Sequence, residues 1–272
     1  MCNDVEVERA GAAPGSFKDS SDAKPLGLLI DNPEQRSSVL LHLTPASSIP
    51  RFACKNTMTA RVHIIRHGEA LHNVQRGYPH LDPPLTKGGN VSTKRVNLSV
   101  QPDLILISPM TRTIQTAINM FPFLTDAASF HIPVQIWPDL REANDAVCNK
   151  GLSRKELASN FPQFDFSECH EEWDYPEHSI EGATERAERV RRRLKELAAT
   201  YSNIAVITHR GIKAFLVKGK RFGLAETRCY RFATEEEAQN DNIRRGINSD
   251  TLEEQDFGPT VLILDESQRK YP

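Results

Sequence analysis

Two short stretches carry residue types suited to phosphorus chemistry: Arg66-His67-Gly68-Glu69 and Thr208-His209-Arg210-Gly211. Each ends an apolar run, residues 62–65 in the first case and 204–207 in the second. Arginine presents a planar fork of donors that matches phosphate. Histidine can act as a nucleophile or carry a proton near neutral pH. Glycine lets the backbone come close to a ligand. Two further apolar runs, residues 103–107 and 134–137, lead into Arg112 and Glu142. Two His and two Arg around one point make an electropositive pocket for a tetrahedral dianion. Phosphoryl transfer needs little more than charge stabilisation and in-line positioning. Either His could attack phosphorus while the arginines hold its oxygens, with Glu142 as the available acid for the leaving oxygen.

These residues need strands that end at one edge. Short apolar runs bounded by turn residues predict buried strands at 62–65, 103–107, 134–137 and 204–208, with further strands near 228–233 and 260–264. Helices are predicted between them. Lys87 opens one at about 87–98, and Ser108 as cap with Pro109 at the first position starts another. Ser153-Arg154-Lys155-Glu156 has the spacing of a capping box and opens a helix to about Phe161. From Thr184 to Tyr201 the apolar positions share one face, and Arg189, Arg191, Arg192 and Arg193 are assigned to the solvated side. Alternating strands and helices predict an α/β fold, a three-layer sandwich with a mostly parallel central sheet and helices on both faces. Ligands of such sheets bind beyond the carboxyl ends of the strands.

The 272 residues carry 34 basic and 36 acidic side chains, which argues against an electrostatic nucleic-acid binder. Five scattered cysteines without a CxxC pair suggest neither a disulfide framework nor a zinc ribbon. No signal-like or membrane-length apolar run occurs, so a cytoplasmic protein is expected, with no membrane partner. Residues 1–57, rich in Ser, Pro, Asp and Lys, are expected to form a disordered extension, with Met58 as an alternative start. Residues 58–272 then form the catalytic domain.

The motifs resemble those of the histidine phosphatase, or phosphoglycerate mutase-like, superfamily, in its small phosphatase branch. The resemblance runs from Arg66-His67-Gly68-Glu69 with Asn73, through Asp82, Leu85-Thr86-Lys87-Gly88-Gly89, Ser108-Pro109, Arg112, Gln115-Thr116-Ala117 and Leu140-Arg141-Glu142, to Thr208-His209-Arg210-Gly211. It implies a phosphoglycerate mutase-like fold and a metal-independent phosphatase without cofactors. His67 would form a phosphohistidine, Arg66, Arg112 and His209 would clamp the phosphoryl group, and Glu142 would be general acid and base. Asn73, Gly77 and Arg210 are the expected substrate contacts.

Two departures stand out. Arg210 follows the second His, where the family usually has a small residue, and either touches substrate or faces solvent. Arg141-Glu142-Ala143-Asn144-Asp145 lacks the run found in true phosphoglycerate mutases, which favours hydrolysis of a small phosphorylated substrate. A phosphomutase and a catalytically inactive phospho-ligand-binding relative are the alternatives. His63, His67, Glu69 and His72 share no common face, so no metal site is expected. Trp173, Tyr175, His170 and His178 either cover the substrate or pack an ordinary loop. Oligomeric state is not legible.

Overall fold

The computed structural model describes residues 60–174 and 179–268. The expected extension over residues 1–57 and Met58 lie outside these, as do Tyr175 and His178 of the central loop.

Along the chain run β1 (Arg61–Arg66), α1 (Leu71–Val74), α2 (Lys87–Thr93), β2 (Leu104–Ile107), α3 (Thr111–Met120), β3 (Val134–Ile136) and α4 (Arg154–Asn160). They are followed by α5 (Ile180–Leu197), β4 (Asn203–Thr208), α6 (Arg210–Leu216), β5 (Thr227–Phe232), α7 (Glu235–Gln239), α8 (Asp241–Arg244), β6 (Arg245–Ile247), β7 (Glu254–Asp256) and β8 (Leu262–Leu264). Six strands form one sheet in the order β3-β2-β4-β1-β5-β8. Strands β3, β2, β4 and β1 pair in parallel, while β5 pairs antiparallel with both β1 and β8. The sheet is thus mostly parallel, as expected.

Continuous apolar strands follow from burial on both faces. Val62, Ile64, Leu106, Ile204 and Val206 pack with Ala187, Val190 and Leu194 of α5 and Ile212 and Phe215 of α6. The alternate residues Ile65, Ile105, Ile107, Ala205 and Ile207 pack with Ile114 and Ala117 of α3 and Leu157 of α4. Period-two alternation therefore feeds two cores, one on each face, and produces the three-layer sandwich.

Several expected boundaries shift for identifiable reasons. The helix expected at 87–98 stops at Thr93, whose hydroxyl donates to the Gly89 carbonyl at 2.8 Å. That helix also comes close to the loop after β1: a Cβ at Gly89 would stand 2.0 Å from the Glu69 carbonyl oxygen. Helix α3 starts at Thr111 rather than Pro109. The Asp82 carboxylate accepts from the Thr111 amide and hydroxyl at 2.9 and 2.7 Å, and so takes the capping role expected of Ser108. Helix α5 begins four residues earlier than expected because Ser179 caps it, accepting from the Gly182 amide. The capping box at Ser153 and Glu156 forms as the spacing predicts.

One assignment is overturned outright. Arg191 is fully buried rather than solvated. Its Nη1 donates to the carbonyls of Phe215 and Leu216 at the end of α6, where helix carbonyls lack intrahelical partners. Arg189 and Arg192 are exposed as expected, and Arg193 lies over the Trp137 ring. Trp173 is packed, with Nε1 donating to the Leu152 carbonyl.

Candidate active site

β1 and β4 are neighbours in register, with Arg66 opposite Thr208, so the residues that follow them emerge side by side. The His67 and His209 rings consequently lie 5.2 Å apart between centroids. β2 flanks β4 on its other side, Ile107 opposite Ile207, and delivers Ser108 and then Arg112 to the same edge. Parallel strands ending at one level leave a crevice beyond their carboxyl ends.

His67 is buried, and its Nδ1 lies 2.7 Å from the Gly68 carbonyl oxygen. A carbonyl only accepts, so Nδ1 carries the proton and Nε2 of the neutral ring keeps its lone pair. Burial, and next the Arg112 charge, hold the His67 pKa well below its ordinary 6.5. His209 is neutral for the same two reasons. Its Nε2 is 2.8 Å from Ser108 Oγ, and its buried Nδ1 has no hydrogen-bond partner among the described residues.

Arg112 is fully buried, with Nη1 donating to the Cys148 carbonyl and Nη2 to Asn149 Oδ1, each at 3.0 Å. Arg66 Nη1 donates to the Phe222 carbonyl at 2.9 Å. Burial, then the neighbouring Arg210 charge, lower the Arg66 pKa to about 10, so it remains a cation. The Nε atoms of Arg66 and Arg112 have no hydrogen-bond partner among the described residues.

Glu142 is the carboxylate of the cluster. Its Oε1 accepts from the Ala143 amide at 2.7 Å and from the Ile212 amide at 2.9 Å. Gly211 makes this approach feasible, because a Cβ there would stand 2.3 Å from Oε1. Behind the loop, Arg186 of α5 donates Nη1 to the Arg141 carbonyl at 2.8 Å and Nη2 to the Glu142 carbonyl at 3.1 Å. The loop is therefore fixed from α5 and from α6. Two guanidinium groups, two neutral imidazoles and one anchored carboxylate suit a tetrahedral dianion whose charge the arginines offset.

Residues 62–239 match the histidine phosphatase superfamily (branch 1). The chain belongs to that superfamily. It is 32% identical over 123 residues to a protein of Schizosaccharomyces pombe named a probable phosphatase, a match covering 42% of this chain and 56% of that one. The chain thus spans little more than half the length of that curated relative. Among solved structures, the alpha-ribazole phosphatase from Shigella flexneri is 23% identical, with a TM-score of 0.43 over 64% of this chain and 91% of that one. The ecdysone phosphate phosphatase from Bombix mori, solved with tungstate, is 15% identical, with a TM-score of 0.49 over 63% and 89%.

Of the residues expected from this superfamily's motifs, the structure gathers Arg66, His67, Arg112, Glu142 and His209 at the sheet edge. Arg210 is half-buried, its Nε 3.2 Å from Asp250 Oδ1, and its charge acts on both Arg66 and His72. It is thus tied to an acid at the pocket's edge, rather than facing solvent alone. Asn73 is exposed, its Oδ1 accepting from the Ala70 amide at 3.0 Å. Gly77 is exposed in the turn after α1 at φ +69°, a left-handed backbone that glycine adopts without strain.

The motifs assigned no role to the residues that hold the cluster. Ser108 stood in the resembling motifs and as a helix start but was given no role in the site, and Asn149 and Arg186 carried no signal. Lys213 is fully buried one turn beyond His209, its Nζ 3.3 Å over the Phe222 ring and without a hydrogen-bond partner among the described residues. Burial, then the Arg66 charge, hold its pKa well below the ordinary 10.5. The ring of His72 lies 5.7 Å from that of His67, and no motif gives this residue a role.

Proposed function

We propose that the protein hydrolyses a small phosphomonoester through a phosphohistidine on His67, with Glu142 as general acid and then general base and no metal required. The observation that supports this most directly is the His67–Gly68 hydrogen bond. It leaves the Nε2 lone pair free in a pocket edged by Arg66, Arg112 and His209. In the first step Nε2 attacks phosphorus in line as the P–O bond to the leaving group breaks. Arg66 and Arg112 offset the charge on the phosphoryl oxygens. In this reading the Ser108 hydroxyl, 2.8 Å from His209 Nε2, serves as donor to that ring, which leaves the proton of Nδ1 as one more donor to the phosphoryl group.

Two backbone amides occupy Glu142 Oε1, so Oε2 is the atom that carries the proton. Glu142 gives the proton to the leaving oxygen, and then takes one from the water that attacks the phosphohistidine. The N–P bond breaks and inorganic phosphate departs.

Hydrolysis of an aryl phosphate in excess chelator, with wild type and His67→Ala side by side, tests the reading. Activity that survives chelation, disappears in His67→Ala and leaves an alkali-stable phosphoryl group on His67 after rapid quenching is expected. Loss to chelator alone, or unchanged turnover in His67→Ala, would overturn it.

A further inference from the structure

Resting on the phosphatase reading, we infer that His72 is a further substrate contact, donating its Nδ1–H to the transferring phosphoryl group, and that Asn73 acts through it as a positioning residue. The hydrogen bonds fix the tautomer. Asn73 Oδ1 is taken by the Ala70 amide at 3.0 Å, so the other end of the side chain is its NH2 group. That group lies 3.1 Å from His72 Nε2. An amide NH2 only donates, so Nε2 must accept and the ring proton sits on Nδ1. This Nδ1 is buried and has no partner among the described residues.

The place of the ring says what the donor is for. It stands against His67 at 5.7 Å between centroids, only slightly farther than His209 at 5.2 Å. After burial, the groups that act most on it are Arg112, Arg66 and Arg210, the first two being the proposed phosphoryl clamps. Together they hold its pKa down to about 3, so the ring is neutral. It adds a donor without adding to the repulsion among the arginines. A buried N–H lacking an acceptor is unfavourable, and a phosphoryl oxygen removes the deficit on binding. Asn73, expected to touch the phosphoryl group itself, has its Oδ1 engaged by the Ala70 amide and one donor of its NH2 group directed at His72 Nε2.

His72→Phe keeps a ring against His67 and removes the donor, whereas His72→Asn offers an N–H close to where Nδ1 stands. Vanadate affinity by calorimetry and kcat/KM for an aryl phosphate are the measurements, on variants whose melting shows them folded. His72→Phe should weaken vanadate about tenfold or more, the value of a hydrogen bond to a charged group. His72→Asn should recover most of that loss. Asn73→Ala should weaken vanadate less, and add nothing in the His72→Phe background. Wild-type vanadate affinity in His72→Phe, or full additivity of the two substitutions, would overturn the inference, additivity placing Asn73 on the ligand. Turnover abolished by His67→Ala but unchanged in His72→Phe would sink this inference alone. Turnover indifferent to His67→Ala would sink the phosphatase reading beneath it.

Discussion

Arg112 and Arg191 are both fully buried, yet they use their donors differently. Arg191 sends Nε and Nη2 to the Glu188 carboxylate and Nη1 to two carbonyls at the end of α6. Its charge is paired and its fork occupied, which is what lets a guanidinium sit in a core. Arg112 is held along one edge by a carbonyl and an amide oxygen, and its Nε has no hydrogen-bond partner among the described residues. Arg66 is held still more lightly, by one carbonyl. In the proposed function the spare donors of Arg112 and Arg66 serve the phosphoryl anion, whereas Arg191 is a clamp between helices.

Substitution should separate the two kinds. Arg112→Gln is expected to lower aryl phosphate turnover by ~10³-fold, comparable to losing a donor aimed at developing charge, while leaving the melting temperature near wild type or above it. Arg191→Met should do the reverse, costing about 3–5 kcal/mol of stability because Glu188 and two helix carbonyls lose their partner, with kcat per folded molecule unchanged. Denaturant melts and assays on both variants decide. Equal stability loss in both would end the distinction.

Gly211 sharpens it on the carboxylate side. Gly211→Ala would press a methyl against Glu142 Oε1 and displace the acid, for an expected loss of ~10²-fold with alkyl phosphates. Aryl phosphates, whose leaving groups need little protonation, should lose much less. Equal losses would detach Glu142 from leaving-group protonation.

Lys213 is a third case, a buried amine with neither anion nor clamp role. Its pKa is lowered on folding, so the unfolded chain binds the extra proton between the folded pKa and 10.5. Stability from this group is therefore lost as pH falls below 10.5 and regained as pH rises towards it. Lys213→Met should stabilise the protein by about 1–3 kcal/mol near neutral pH and flatten that dependence, as read from melts between pH 7 and 10. A destabilised variant with an unchanged pH slope would mean that the amine is satisfied where it sits.

Much of the site was legible because strands buried on both faces appear as continuous apolar runs, and the polar residue ending each run must lie at the sheet's edge. His67, Arg112, Glu142 and His209 were found that way. Arg191 was misassigned because a helical wheel shows which face a residue lies on, not whether a neighbouring helix ends there with free carbonyls. Ser108 was assigned to a helix cap because Ser-Pro fits a helix start equally well. Asp82, 29 residues before Thr111 in the chain, took that role instead.

By itself, the sequence determined the six strands of the main sheet and the charge of the rim, since these depend on local pattern and on the burial of apolar surface, but it did not reveal β6 and β7, which are short, polar and largely exposed. It left open which histidine attacks, on the residues alone. The proposal that His67 attacks rests on hydrogen bonds seen only in the tertiary structure. The Gly68 carbonyl holds the proton on His67 Nδ1, whereas His209 meets a hydroxyl from a residue 101 positions away. The 2.7 Å contact that sets the His67 tautomer comes from the next residue in the chain, whereas the pocket that the ring faces exists only when strands distant in the chain lie side by side.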